Sequence, residues 1–198
     1  YFMFSCDDDW RSPDFLELNL AFLESNPNFV ASTSPNCFEG EEKNPEKYVN
    51  FNLEGTLKER CVKFLQNSWV SHGIFFSLIR TEVLKDCKYL NFSYAGTDWS
   101  VNFFLLSKGK INRTKGGCII LGKYGVSMTG NPWKKFRNKP IEFFIPLYEF
   151  TKCALVLMKN LKYFEWMNVF YRLLKLNFQA AKSNYIITIR ELLKNMRV

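Results

Sequence analysis

Apolar residues in this chain recur with two periods, and the switches between them predict alternating strands and helices. Residues 1–5 form a short apolar-aromatic run, predicted as a buried strand, which stops at Asp7, Asp8 and Asp9. Ser12-Pro13-Asp14 has the composition of a helix start: Ser as cap, Pro at the first position, an acid in the first turn. That helix is predicted to reach about Glu24, with Phe15, Leu16, Leu20 and Leu23 on one face, before Asn26-Pro27-Asn28 ends it. Residues 29–33 read as a second strand, 35–45 as a polar loop and 47–51 as a short strand. A helix is expected over 56–67, where Leu57, Cys61, Phe64 and Leu65 keep helical spacing. Residues 69–79 read as β-rich, interrupted at His72-Gly73, and 81–86 as a short helix. Gly96-Thr97-Asp98 opens a helix that continues to Ser107 and is stopped by Gly109. Residues 110–113 are predicted extended, and 116–117 and 122–130 as Gly-rich loops. From Pro140 onward the pattern is helical and aromatic, with breaks expected near Lys159-Asn160 and at Asn177.

The strand–acid–helix–strand order predicts an α/β fold: a mixed sheet with flanking helices over residues 1–130, followed by a helical, basic-aromatic extension over 131–198. In open sheets of this kind ligands lie at the carboxyl ends of the strands, where the three aspartates sit. With 198 residues and 47% apolar content the chain can bury a sizeable core, which excludes a disordered class. The net charge of +8 is uneven: residues 131–198 carry 13 Lys/Arg against 4 Asp/Glu, so the basic excess belongs to the last third. No apolar run reaches the roughly 18–20 uncharged residues needed to span a bilayer. None of the six cysteines forms a C-x-x-C pair, which argues against a zinc or redox site and fits a reducing cytoplasm. The chain opens abruptly on a core-like strand, without a basic leader, as expected of a fragment whose amino-terminal part is absent.

Three consecutive carboxylates after a buried strand repel one another unless something neutralises them. A divalent cation does so, and Mg²⁺ or Mn²⁺ favours a few carboxylate oxygens together with phosphate oxygens and water. The alternative is a plain helix-entry cluster, favoured by the helix dipole. Asp98 likewise reads either as a first-turn acid beside Thr97 or as a functional carboxylate. His72, the only histidine, reads most simply as a hydrogen-bonded structural residue.

The segment YFMFSCDDDWRSPDFLELNLAFLESNP, followed by FVAST, resembles the D-x-D region of family-2 glycosyltransferases: an apolar strand, an acidic triplet, a Phe-Leu-Glu helix, then Asn-Pro and a strand. The resemblance covers about 30 residues in register, read against the motif logic of strand, turn and helix. It implies a GT-A fold in which Asp7, Asp8 and Asp9 hold Mn²⁺ or Mg²⁺ against the donor diphosphate. Many members of the family have an acid where Cys6 stands, and Asp8 with Asp7 or Asp9 is the favoured ligand pair. TDWSVNFFLLSKGK resembles the family's general-base region, with Thr97 replacing the usual Glu, which leaves Asp98 as the base. Lys110 and Arg113, with Lys115, follow as diphosphate-binding candidates. His72, Gly73 and Trp99 follow as acceptor-binding candidates, since Gly73 and Arg80 match a recurrent Gly–Arg spacing before the acceptor-facing region.

The resemblance implies transfer of a sugar from a nucleotide-diphosphate donor to a hydroxyl of a glycan or lipid-linked acceptor, with inversion, in cell-surface polysaccharide synthesis. It also implies a cytoplasmic enzyme, peripheral on the inner membrane face. The carboxy-terminal helices interleave Trp and Phe with Lys152, Lys159, Lys162, Arg172, Lys175 and Lys182, a composition suited to an anionic membrane surface or to a helical cap over the catalytic core. The rival readings are a nucleic-acid-binding module using the basic aromatic tail and a non-catalytic peripheral membrane protein. No nucleic-acid-binding motif is present, and the acidic triplet does not help such a role.

Overall fold

The computed structural model describes residues 1–42, 50–123 and 131–196. The elements in order are β1 (Trp10–Arg11), α1 (Phe15–Ser25), β2 (Phe29–Thr33), β3 (Asn36–Phe38), α2 (Leu57–Asn67), α3 (His72–Phe75) and β4 (Leu78–Ile79). They continue with α4 (Thr81–Leu84), α5 (Thr97–Lys108), β5 (Lys110–Arg113), β6 (Ile119–Leu121), α6 (Pro132–Lys135), α7 (Tyr148–Leu157) and α8 (Tyr163–Asn195). The fold is mixed α/β, with two small sheets among the described residues and a long carboxy-terminal helix.

The first sheet has the order β4-β2-β5. β2 runs antiparallel to β4 and parallel to β5. Phe2 bridges Ile79 antiparallel, so the opening segment runs in the same direction as β2 and β5. The second sheet has the order β1-β6-β3, with β1 antiparallel and β3 parallel to β6. β2 is buried at every residue, as expected of a central strand covered on both faces.

α5 packs on β2 and β5 and is joined to β5 by Gly109 alone. With one linking residue, helix and strand must run in opposite directions. Twelve helical residues span about 18 Å and four strand residues about 13 Å. The amino end of α5, with Asp98, therefore lies toward the carboxyl edge of β2 and β5. Its cap residue Gly96 has φ +84°, a left-handed conformation that glycine adopts without strain.

Several local expectations are corrected. Residues 1–5 pair only through Phe2, because β4 is two residues long and offers little edge. Ser12 does not cap α1: its hydroxyl accepts from the Cys118 amide at 2.9 Å, and Asp14 takes the cap position. Residues 69–79 are largely helical turns before β4. Ser68, Ser71 and Ser77 each bond back to a carbonyl three or four residues earlier, which favours turns over strand. β3 forms within the stretch read as a polar loop, and β6 between the two Gly-rich stretches, where no element is predicted; each gains a parallel partner in the other. Most of the predicted strand at 47–51 and of the Gly-rich stretch at 122–130 lies outside the described residues. Asn177 does not break α8: its amide donates to the Leu173 carbonyl at 2.9 Å and to Thr151 Oγ1 at 2.8 Å.

The carboxy-terminal helices share the core of the sheet region. One cluster contains Ala31 and Ile111 from the sheet, Phe64 and Phe103 from α2 and α5, and Phe150, Val169, Leu173 and Leu176 from α7 and α8. α2 lies against α8, and α5 against α7.

Candidate active site

The acidic turn is shaped by the β1–β6 pair. Trp10 is opposite Ile120, so the register carries Asp9 and Asp8 toward Leu121 and Gly122. The Gly122 amide donates to Asp9 Oδ1 at 3.2 Å. A Cβ at Gly122 would collide with the Asp8 carboxylate, so the absence of a side chain there is what lets Asp8 lie across the strand end. Arg11 closes the turn from behind, donating to the Phe4 carbonyl at 2.6 Å and to Ser5 Oγ at 2.9 Å.

Cys6, Asp8 and Asp9 each present a ligand atom within 4.8 Å of the others. Asp7 is exposed and lies outside this group. Burial raises the Asp9 carboxyl above its usual range, and Asp8 adds to the shift while Gly122 and Arg11 oppose it. Burial and then Asp9 and Asp8 raise the Cys6 thiol as well. Asp9 Oδ2 is buried without a hydrogen-bond partner. These features fit a divalent cation: two carboxylates crowd together, and a buried oxygen lacks a donor. The thiol favours Mn²⁺ over the harder Mg²⁺.

The second half of the site gathers around α3. Phe75 stacks on Phe4 with ring centroids 4.3 Å apart, tying α3 to the segment that leads into the acids. His72 at its other end meets the edge of Phe38 on β3 at 5.2 Å. Just before it, Trp69 meets Trp99 at 5.1 Å, next to Asp98. The turn at 68–70 and α3 thus follow one another along the chain, the first in contact with Trp99 of α5 and the second with Phe4 and Phe38.

Asp98 and His72 share an electrostatic character. Both side chains reach water, yet both are surrounded by enough protein to disfavour charge. Desolvation pushes the Asp98 carboxyl up to about 6, against the pull of the Trp99 and Asp98 amides at the helix start. Desolvation lowers His72, partly offset by a backbone hydrogen bond at Trp69.

The other candidates have different surroundings. Gly73 is buried and its carbonyl accepts from Thr33 Oγ1 at 2.9 Å; a Cβ would lie 2.6 Å from Asn36 Oδ1, so it is a packing residue between α3 and the strands. Arg113, at the carboxyl end of β5, is 7% exposed and donates through Nη1 to the Ser34 carbonyl, Asn36 Oδ1 and Asn50 Oδ1. Burial lowers it to about 10. Lys110 starts β5 and sits over the Phe29 ring at 5.5 Å. It is therefore at the opposite sheet edge from Asp98, and the structure does not bring it to the site.

Sequence reasoning missed Arg11, Trp69 and Gly122. Gly122 acquires its role only through β6, a strand of three residues preceded by Cys118, and Arg11 acquires its role only once the acidic turn folds it back onto Phe4 and Ser5. The chain matches no family profile, no curated protein and no solved structure.

Proposed function

We propose that this chain is a metal-dependent glycosyltransferase of the GT-A type. It moves a sugar from a nucleotide-diphosphate donor to a hydroxyl of a glycan or lipid-linked acceptor, with inversion. The observation that carries this reading is the Cys6–Asp8–Asp9 group, in which a buried Asp9 oxygen has no hydrogen-bond partner, at the end of a segment that runs parallel to β2 and β5. Asp98, toward the carboxyl edge of the same strands, is the base this reading requires.

Asp8 and Asp9, with Cys6 beside them, would hold the cation. When bound, the cation supplies positive charge to the donor diphosphate as its leaving oxygen becomes anionic. Asp98 accepts the acceptor hydroxyl's proton as that oxygen bonds to the anomeric carbon. The bond from that carbon to the diphosphate oxygen breaks, and its electron pair leaves with the nucleoside diphosphate. A base near 6 suits the task, because it is ionised at neutral pH and still basic enough to take the proton. Trp69 and Trp99 offer apolar faces and indole edges beside Asp98, a surface on which a sugar ring can be oriented.

The test is calorimetric titration of the protein with Mn²⁺ and a nucleoside diphosphate, together and separately. We expect each to tighten the other's binding, with the coupling lost in Asp8→Asn. Independent binding of the two, or coupling unchanged by Asp8→Asn, overturns the metal-donor reading. Salt-sensitive binding to oligonucleotides that ignores Asp8 would favour a nucleic-acid-binding module instead.

A further inference from the structure

We propose that the outer face of α8 is a docking surface for an anionic lipid bilayer. This goes beyond the transfer reaction and does not depend on it. α8 has 33 residues, about 50 Å of helix, and carries two apolar faces rather than one. The inner face presents Val169, Leu173, Leu176 and Ala180, all at most 1% exposed. The outer face presents Phe164, Tyr171, Phe178 and Leu192, at 85, 69, 73 and 58% exposed, with Met167 and Leu174 between them. Tyr171 and Phe178 each lie two residues from an inner-face residue, about 200° around the helix, so the two faces are opposed. The core uses only the first, and an apolar stripe of this length left in water marks an interaction surface.

Charge selects the occupant. Lys175 and Lys182 lie on the outer face within one turn of Phe178, and Arg190 is exposed at its margin. The helix has only two acids, Glu165 and Glu191, and their positions fall outside the stripe. A second copy laid on this face would bring lysines against lysines with no carboxylate between them. A bilayer rich in anionic headgroups complements the lysines while its acyl boundary takes the aromatic rings. Phe144, 61% exposed, extends the apolar surface sideways, since Phe143 contacts both it and Tyr185 of α8. No described helix is long and apolar enough to cross a membrane, so the contact is with the surface.

The test is co-sedimentation of the whole protein with phosphatidylcholine vesicles, with and without phosphatidylglycerol. We expect binding that requires phosphatidylglycerol and weakens as salt rises. Phe164→Glu/Phe178→Glu should reduce it by about tenfold or more, since two large rings would no longer enter the interface. Lys175→Glu/Lys182→Glu should abolish the preference for anionic lipid. These four residues are exposed, so circular dichroism should show the fold unchanged. Absence of vesicle binding, or binding indifferent to the Phe164/Phe178 pair, overturns the proposal. So does a concentration-dependent dimer that the same pair disrupts, which would make a second copy the occupant.

Discussion

Asp98 makes the sharpest residue-scale statement, because its folded value near 6 and its ordinary value of 3.8 bracket a pH window. An acid raised on folding binds protons more tightly in the folded state. Its contribution therefore favours folding below about pH 4, declines between 4 and 6, and is constant above. Asp98→Asn removes the decline, so melting curves should show the variant gaining on the parent from pH 4 to pH 7. Turnover should move the other way: the parent's rate rises through pH 6 as the base ionises, and Asp98→Asn lacks both the rate and the limb while donor binding remains. Comparable turnover in that variant would remove Asp98 from the mechanism. Gly122→Ala tests the opposite end of the site. The added methyl must displace the Asp8 carboxylate, so Mn²⁺ affinity should fall about tenfold or more, with a smaller change in melting temperature. The acids themselves were legible in the sequence, since a charged triplet after an apolar run is a local pattern. The grouping of Asp8 and Asp9 with Cys6 and without Asp7 was not, because it follows from register against a strand more than a hundred residues away.

At the scale of elements, helices with strong periodicity were readable and short strands were not. α2 begins on a capping box in which Thr56 Oγ1 accepts from the Glu59 amide and Glu59 returns to the Thr56 amide, and its apolar positions sit at helical spacing. β3, β4 and β6 have two or three residues each, too few for a period to register; they exist because a neighbouring strand completes their hydrogen bonds. Asn177 misled for the related reason that a polar residue in an apolar helix looks like a stop until its partners are known. Asn177→Leu would leave Thr151 without that donor but keep the helix, so helical content by circular dichroism should be unchanged. A break at this position would instead be repaired by Leu and raise it. Leu173, fully buried between α8 and the core, should cost about 2–4 kcal/mol as Leu173→Ala in denaturant unfolding.

For the whole molecule, the question is whether residues 131–198 form a separate unit, as the change in composition and charge suggested, or one wall of a single core. Val169 and Leu173 share a cluster with Phe64, Phe103 and Ala31, so α8 closes the same interior that the sheet lines. The tryptophans make this testable. Trp69 meets Trp99 and Trp133, Trp69 Nε1 donates to Gln179, Trp133 Nε1 donates to Ser183, and Trp166 packs on the core. Four of the five indoles therefore report on the seam between the sheet region and α8, while far-ultraviolet ellipticity reports on every helix. A single cooperative unit requires fluorescence and ellipticity to follow one transition with the same midpoint in urea. Two units would give a fluorescence change preceding the loss of α1, α2 and α5. A buried polar network adds a second check on the same idea. Asn19 of α1 donates to Ser34 and accepts from Ser32, which Asn112 of β5 also reaches, joining helix and sheet by hydrogen bonds beside the Leu23–Phe29–Leu78 apolar contact. Asn19→Ala leaves the Ser32 and Ser34 hydroxyls short of a partner and should lower both midpoints together, with a loss of about 1–3 kcal/mol in unfolding free energy. Separation of the two curves in that variant would show that α8 holds together without the sheet, and would return the carboxy-terminal helices to the status of an appended unit.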